Sequence, residues 1–211
     1  MKRDKEAAPS PLSLRDRRRE QTRQEIVASA LDIISSEGVD AATIERLASH
    51  AGMSRGTVYA HFEGGRDEIL REAYRRIGSD LVAAAESLAA AGSTWRERVL
   101  AYARPMVLLA EDPHRGHFYN VAGPALADGQ TERGRGSSAT LDAVRDQLLQ
   151  GQSQGAVDGG VDATATAILL VGSLREAGIE LARGAVSSAS VLSAFDLLLA
   201  GLERKPVAAA H

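Results

Sequence analysis

Two short helices joined by a tight turn constrain this chain more than any other feature of its sequence. Residues 43–62 read TIERLASHAGMSRGTVYAHF. Ile44 and Leu47 lie on the apolar face of the first helix, and Val58 begins the apolar stripe of the second. Gly52 marks the turn, because a residue without a Cβ adopts positive φ readily. The pattern predicts a helix-turn-helix.

The second helix of this pair has a polar face with unusual chemistry. Ser54 is placed to cap its first turn, because a hydroxyl oxygen accepts hydrogen bonds from free backbone amides. The face itself carries short, basic or hydroxyl-bearing groups: Arg55, Gly56, Thr57, Tyr59 and His61. Such a face suits insertion into a DNA major groove, with the helix N-terminus near phosphates. The spacing alone also fits a packing corner of an all-α fold.

The surrounding residues favour the first interpretation. The matching residues are Ile26, Ala30, Ile34, Gly38, Ala42-Thr43, Leu47-Ala48, Ala51-Gly52-Met53-Ser54, Gly56-Thr57-Val58-Tyr59, His61-Phe62 and Ile69-Leu70. With these, the stretch 19–77 resembles the DNA-binding domain of the TetR family of transcriptional regulators. The resemblance covers the first third of the chain. It implies an all-α protein of about nine helices, with a three-helix helix-turn-helix domain followed by a C-terminal bundle for ligand binding and dimerisation.

The resemblance also implies roles for individual side chains. Arg55 is the expected base contact, and Arg commonly recognises guanine O6 and N7. Thr43, Tyr59 and His61 are expected at phosphates, and Thr57 at a phosphate or a thymine methyl group. Two such helices in a homodimer, about 34–36 Å apart, would recognise a near-palindromic operator in double-stranded DNA.

One segment departs from the family pattern. The family has two residues and then a Lys before the next helix, whereas this chain has residues 63–65, EGG, and then Arg66. Arg66 keeps a cation at the start of a helix whose free amides also attract phosphate, so we expect a phosphate contact there. The extra residue leaves the alignment open.

Charge distribution agrees with a limited DNA-binding surface. The net charge is −3. Residues 1–80 are balanced, and the acidic excess lies in 81–211. Within 13–23, five Arg stand against two acidic residues. The chain lacks cysteine, an apolar run of the ~18 residues that a membrane span needs and an N-terminal signal pattern, so we expect a cytoplasmic protein with no membrane partner.

Helical periodicity and breakers divide the rest of the chain. We predict helices over 14–37, 66–90, 94–111, 141–150, 163–183 and 188–203, with a flexible loop at 128–139. The domain boundaries predicted are a flexible basic arm at 1–13, the DNA-binding domain at 14–80, a regulatory and dimerisation domain at 81–205 and a flexible tail at 206–211.

Pro105 lies inside the predicted helix 94–111 and should kink it, which opens space in a bundle. The candidates for a ligand pocket are Tyr102, Met106, Leu109, Phe118, Asn120 and Arg175. The composition of these helices favours a small, largely apolar ligand. Ordinary core packing is the alternative for each apolar member, and Arg175 could instead pair across a dimer.

The last two predicted helices are apolar over more of their surface than burial on one side requires. TetR-like proteins dimerise through their last two helices, so we expect an interface formed by Leu170, Leu174, Gly178, Leu181, Val191, Phe195, Leu198 and Leu202. A DNA-binding dimer without an inducer remains an alternative to a ligand-released repressor.

An enzyme with a helical fold is the remaining alternative. His114 and His117 follow Glu111 and Asp112, which superficially resembles a metal site, but Pro113 and Gly116 interrupt the helix that would align the two rings. No catalytic grouping and no phosphate-cradling loop can be placed. We therefore expect no catalytic residue, no metal and no cofactor.

Overall fold

The computed structural model describes residues 13–126 and 129–204. Ten α-helices occupy most of this part of the chain. They are α1 (Leu14–Glu37), α2 (Ile44–His50), α3 (Arg55–His61), α4 (Gly65–Ala91), α5 (Trp95–Glu111), α6 (Pro113–His117), α7 (Gly123–Leu126), α8 (Gly129–Ser153), α9 (Ala163–Ala182) and α10 (Ser188–Ala200). A 3-10 turn precedes α2, and a π-helical turn, Phe118–Ala122, joins α6 to α7. Within these described ranges, no helix is long and apolar enough to cross a membrane.

The helix boundaries largely confirm the periodicity. Helices α1, α4, α5 and α9 begin and end within one residue of the predicted positions. Helix α5 runs without interruption through Pro105, which is buried. The predicted loop at 128–139 was wrong, because α8 begins at Gly129. The predicted flexible arm and tail lie outside the described residues, apart from Ser13, whose hydroxyl caps α1.

The N-terminal unit, residues 14–80, is built around side chains from α1 to α4 that are fully shielded from solvent. They include Ile26, Ile34, Leu47, Val58, Phe62, Ile69 and Leu70. This core extends beyond the domain boundary predicted at residue 80. Leu109, from the end of α5, and Phe118, from the π turn, are part of the same apolar cluster. The boundary between residues 80 and 81 therefore divides α4 and does not coincide with the edge of this core.

The C-terminal bundle, residues 81–204, has its own core between α5, α8, α9 and α10. Its central members are Trp95, Val99, Ala103, Val144, Leu148, Leu170, Leu174, Phe195 and Leu199. Thr94 and Glu97 form a reciprocal capping box at the start of α5. Arg96 donates from two nitrogens to the two carboxylate oxygens of Asp196, at 2.8 and 2.7 Å, and so ties α5 to α10.

Candidate DNA interface and ligand cavity

Side-chain caps fix both helices of the helix-turn-helix. The Thr43 hydroxyl accepts a hydrogen bond from the amide of Arg46 at the start of α2. The Ser54 hydroxyl does the same for the amide of Thr57 in α3, at 3.0 Å. Gly52 has φ of 66°, as the turn pattern predicts. Thr43 and Ser54 therefore hold the backbone, and each still has an exposed or half-exposed position from which its helix end can meet a phosphate.

Helix α3 presents one face to solvent and buries the other. Val58 and Phe62 have no exposed surface. Arg55, Gly56 and Tyr59 are exposed, and Tyr59 keeps 49% of its surface accessible although it packs on the N-terminal unit. Thr57 and His61 are half-buried at the edges of this face. The structure thus brings the predicted α3 residues together on one surface, which we call the recognition surface.

Arg55 has a partner on the recognition surface. Its Nη1 lies 3.2 Å from Oε1 of Glu45 in α2, and both side chains are about two-thirds exposed, at 66% and 65%. The pKa of Glu45 is lowered, chiefly by a hydrogen bond from its own backbone amide and secondly by the Arg55 guanidinium. Arg55 is therefore held across the helix-turn-helix by an ionised carboxylate, while its remaining donors face solvent.

Arg66 does not lie on the recognition surface as predicted. Its Nε donates to the carbonyl of Ala42 at 2.9 Å, and its Nη2 donates to the carbonyl of Val39 at 2.8 Å. Val39 begins the 3-10 turn before α2, and Ala42 directly follows it. The side chain satisfies these backbone acceptors, which gives Arg66 a structural role, and its phosphate contact stays a prediction. The two glycines of residues 63–65 allow this, because Gly65 has φ of 59°.

Arg23 is the positioning residue that sequence reasoning missed. Its guanidinium lies 4.0 Å from the centre of the Phe62 ring, donates to the carbonyl of His61 and pairs with Glu68 at 3.4 Å. One side chain of α1 therefore fixes the C-terminal end of α3 and the first turns of α4. Nothing in the sequence separates Arg23 from the other four Arg of the 13–23 segment.

Those other arginines form a basic edge beside the recognition surface. Arg15, Arg18 and Arg19 line a shallow groove between the first turns of α1 and the last turn of α3, where His61 lies. None of the three forms an ion pair with another residue that the structure describes. Free guanidinium groups next to a polar helix face are the groups that bind a phosphate backbone.

A cavity of about 620 Å³ lies in the C-terminal bundle. Its walls are α4, α5, the π turn, α8 and α9. Four of the six predicted pocket residues line it: Tyr102, Met106, Asn120 and Arg175. The amide nitrogen of Asn120 donates to the carbonyl of Gly116 at 3.0 Å, and Gly178 leaves room for the rest of this buried side chain.

The other two pocket predictions were wrong. Leu109 and Phe118 point into the N-terminal core and do not reach the cavity. Sequence reasoning missed a stacked pair that does line it, Tyr74 of α4 and Tyr119 of the π turn, whose ring centres are 5.1 Å apart. Burial raises the pKa of the Tyr119 hydroxyl well above its ordinary value, so this group stays protonated. A π turn is a frequent feature of functional sites, but sequence periodicity does not reveal one.

The predicted dimer interface is the largest correction. Leu170, Leu174, Gly178, Leu181 and Phe195 are buried in the subunit itself, and Val191 and Leu202 pack half-buried against the same cores. Only Leu198 is exposed, at 55%. The exposed apolar residues are instead its neighbours in the stripe: Ile168 and Leu169 on α9, and Leu197 on α10. The width of the apolar stripe indicated correctly that one face is exposed. The sequence-based prediction placed that face mostly on residues that are buried or half-buried in the subunit.

The His114 side chain has a structural partner. Its Nδ1 lies 3.0 Å from the carbonyl oxygen of Ser35, in the last turn of α1, and Asp112 caps α6 beneath it. The contact joins the C-terminal bundle to the N-terminal unit. Among the side chains that the structure describes, those of residues 13–126 and 138–204, no group of three or more potential metal ligands occurs.

Comparison with known proteins agrees with this arrangement. Residues 26–73 match the model of the family described as bacterial regulatory proteins, tetR family. The segment is similar to the HTH-type transcriptional regulator SrpR of Pseudomonas putida, with 47% identity over 45 residues, or 21% of each chain. The matched segments span between 21% and 33% of the length of the curated relatives.

Solved structures extend the likeness to the whole fold. A TetR-family transcriptional regulator from Pectobacterium atrosepticum has a TM-score of 0.75 at 23% identity, covering 90% of this chain and 98% of its own. The transcriptional regulator FadR from Bacillus subtilis, in complex with stearoyl-CoA, has a TM-score of 0.67 at 17% identity, covering 89% and 99%.

Fold and site together define an all-α protein with an N-terminal helix-turn-helix and a C-terminal bundle that contains a cavity. Residues 26–73 match the tetR family model, and the chain as a whole has the fold of solved TetR-family regulators.

Proposed function

We propose that this protein is a sequence-specific DNA-binding transcriptional regulator that acts as a homodimeric repressor and is released from DNA by a small molecule. The observation that carries the proposal is the recognition surface. Its basic and hydroxyl groups are exposed on a short helix that is capped by Ser54, held by Arg23 and backed by a fully buried core. A rigid helix with a polar outer face is what major-groove recognition requires.

The cavity supports regulation by a ligand. Tyr74, Leu81 and Tyr119 line the cavity and also pack against the N-terminal core. A molecule that moves these side chains must repack the interior on which the helix-turn-helix rests. A ligand shifts the DNA-binding equilibrium only by the difference in its affinity for the two arrangements. The related fold of FadR from Bacillus subtilis holds stearoyl-CoA, which is consistent with a ligand in a bundle of this kind.

Exposed apolar side chains support the homodimer. Helices α9 and α10 both pack on α5, and their outer faces expose Ile168, Leu169, Leu197 and Leu198 by 53% to 72%. Apolar rows of this extent are unfavourable in water and are typical of an interface. Self-association of two copies through this face is symmetric, and it presents two recognition surfaces to a two-fold DNA site.

The first experiment is selection of bound sequences from random duplex DNA with the purified full chain, followed by a salt titration on the winner. We expect a near-palindrome whose half-sites are one helical turn apart. Absence of enrichment, with only weak and strongly salt-dependent binding, would contradict the proposal, because non-specific binding rests on phosphate charge alone.

The dimer is tested separately by sedimentation and on the selected operator. Leu169→Asp and Leu197→Asp each place a charge on the outer faces of α9 and α10, and we expect monomers that lose operator binding. The control is Leu88→Asp, which changes an exposed leucine on α4, away from these faces. It should remain dimeric. If all three variants remain dimeric, the interface lies elsewhere on the molecule.

A further inference from the structure

The charge of the cavity lining is one-sided. Most of the lining is apolar or aromatic, from Tyr74, Leu81, Tyr102, Met106, Tyr119 and Leu174. Among the described lining residues, the ionic side chains are two guanidinium groups, Arg175 and Arg183, and none is a carboxylate. Apolar walls with a few placed polar groups are typical of small-molecule sites, and the polar groups decide which ligand is accepted.

The two arginines are not equivalent. Arg183 donates from Nη1 to Oε1 of Glu180 at 2.8 Å, one turn back on α9, so its charge is partly balanced. Arg175 lies two turns earlier and has no hydrogen bond or ion pair with the side chains that the structure describes, those of residues 13–126 and 138–204. Arg175 both lines the cavity and is exposed to solvent. A guanidinium at the wall of an apolar cavity favours an anion there, because it matches a carboxylate with two parallel hydrogen bonds.

Tyr102 lines the same cavity from α5, and a negative charge lies near it. The pKa of the Tyr102 hydroxyl is raised, mainly by burial and secondly by the negative charge of Glu86 on α4. An anionic group near Tyr102 would be repelled by Glu86, whereas the same group beside Arg175 would be attracted. The apolar part of a ligand would then extend from Arg175 toward Tyr102 and the stacked Tyr74 and Tyr119 rings.

We propose that the cavity binds an amphipathic organic carboxylate, with the carboxylate on the Arg175 guanidinium and an apolar or aromatic body against the tyrosine and leucine side chains. The proposal rests on the proposed function, since it specifies the ligand class of that regulator. It sharpens the expectation of a largely apolar ligand by adding one negative charge at a defined end.

The test compares carboxylates with neutral molecules of the same shape. The probes are 2-naphthoate against 2-naphthamide and decanoate against decanamide, each titrated calorimetrically into the full-length protein. We expect the carboxylate of at least one pair to bind about tenfold more tightly than its amide, since a hydrogen bond to a charged group contributes at this level. Arg175→Gln should abolish this preference, and Arg175→Lys should restore part of it.

Control variants separate the anchor from general charge. Arg183→Gln, on the same helix but already paired, should reduce the preference less than Arg175→Gln. Arg145→Gln, on α8 and outside the cavity, should leave it unchanged. Equal affinities within both pairs, an unchanged preference in Arg175→Gln, or no binding of any probe at millimolar concentration would each overturn the proposal.

The same preparations are assayed for binding to the selected operator without any probe. Intact operator binding combined with failure of the probes rejects only the carboxylate ligand. Failure to bind any selected DNA rejects the proposed function instead, whatever the probes do. Release of the operator by the preferred carboxylate, and not by its amide, would support both.

Discussion

The N-terminal unit and the C-terminal bundle are packed to different degrees. In the N-terminal unit, the largest apolar side chains are fully buried, and the helix-turn-helix is fixed by the Thr43 and Ser54 caps and by Arg23. In the bundle, the cavity leaves Tyr102, Met106 and Val171 only half-buried. This difference in packing fits two different requirements. A recognition surface needs one fixed geometry, whereas a ligand site needs room for its side chains to move.

The two regions meet in side chains that belong to both. Phe118 is fully buried in the N-terminal core although the π turn that carries it also forms the cavity wall through Tyr119 and Asn120. Gly123 in the adjoining α7 leaves space for the Tyr74 ring, which a Cβ would meet at 2.5 Å. The π turn is therefore the place where a change in the cavity reaches the core beneath the helix-turn-helix.

The largest expected effect is that of truncating Phe118, which tests whether the two cores are stabilised separately. Phe118→Ala should lower the free energy of unfolding by about 3–5 kcal/mol, the usual cost of truncating a fully buried Phe. Since its neighbours lie in the N-terminal core, amide hydrogen exchange should accelerate in α1 and in the first half of α4. Urea unfolding and exchange measured by mass spectrometry check the two parts.

The matched variant is Phe195→Ala, which truncates an equally buried ring in the core of the bundle. It should destabilise the protein by a similar amount and accelerate exchange in α5 and α10 first. If the two variants give the same exchange pattern, the molecule unfolds as one unit and the distinction between two cores has no energetic meaning.

Arg66→Ala tests whether the inward role of this residue replaces a phosphate contact. The substitution removes the donor to the Ala42 carbonyl and one of the two donors to the Val39 carbonyl, so we expect a loss of about 1–3 kcal/mol in unfolding free energy. The slope of log affinity against log salt on the operator should not change. By contrast, Arg18→Ala on the basic edge should reduce that slope by about 0.9, the contribution of one phosphate contact. A reduced slope for Arg66→Ala would show that Arg66 also contacts a DNA phosphate.

The sequence predicted the N-terminal unit better than the bundle, for a physical reason. Caps and turns form between neighbours in the chain, so the roles of Ser54 and Gly52 can be predicted from the residues around them. Arg23, Arg66 and the Tyr74–Tyr119 stack depend on contacts between residues distant in sequence. Periodicity predicts that α9 is apolar over a wide stripe, but which half of the stripe faces the subunit depends on how α9 sits against α5. Leu169 and Leu170 are adjacent in sequence, and only the fold separates them.

A smaller effect distinguishes local stability from function at two helix caps. Ser54→Ala and Thr94→Ala each remove a hydroxyl that accepts an amide hydrogen bond at the start of a helix. Each should lower the free energy of unfolding by about 1 kcal/mol. Only Ser54→Ala should also weaken operator binding, because α3 carries the recognition surface and α5 does not. Thermal unfolding and DNA titration of both variants check this, and equal losses of DNA affinity would show that the bundle and the recognition surface are tightly coupled.

The smallest expected effect concerns the charge that holds Arg55. Glu45→Gln removes the ion pair between α2 and α3, and both side chains are so exposed that stability should not change measurably. Overall DNA affinity should rise slightly, because a negative charge next to phosphates is lost. Discrimination at the base that Arg55 contacts should fall by less than about fivefold, because the guanidinium is no longer held in one orientation.

Since the pKa of Glu45 lies below its ordinary value of 4.5, the carboxylate is charged throughout the neutral range, and the wild-type discrimination should be flat with pH there and weaken only as the pH falls below that value. Arg55→Ala sets the scale, with an expected loss of about 1–3 kcal/mol confined to one operator position. If Glu45→Gln raises the affinity for every sequence equally, Glu45 acts only as a repulsive charge, and Arg55 needs no help from α2 to find its base.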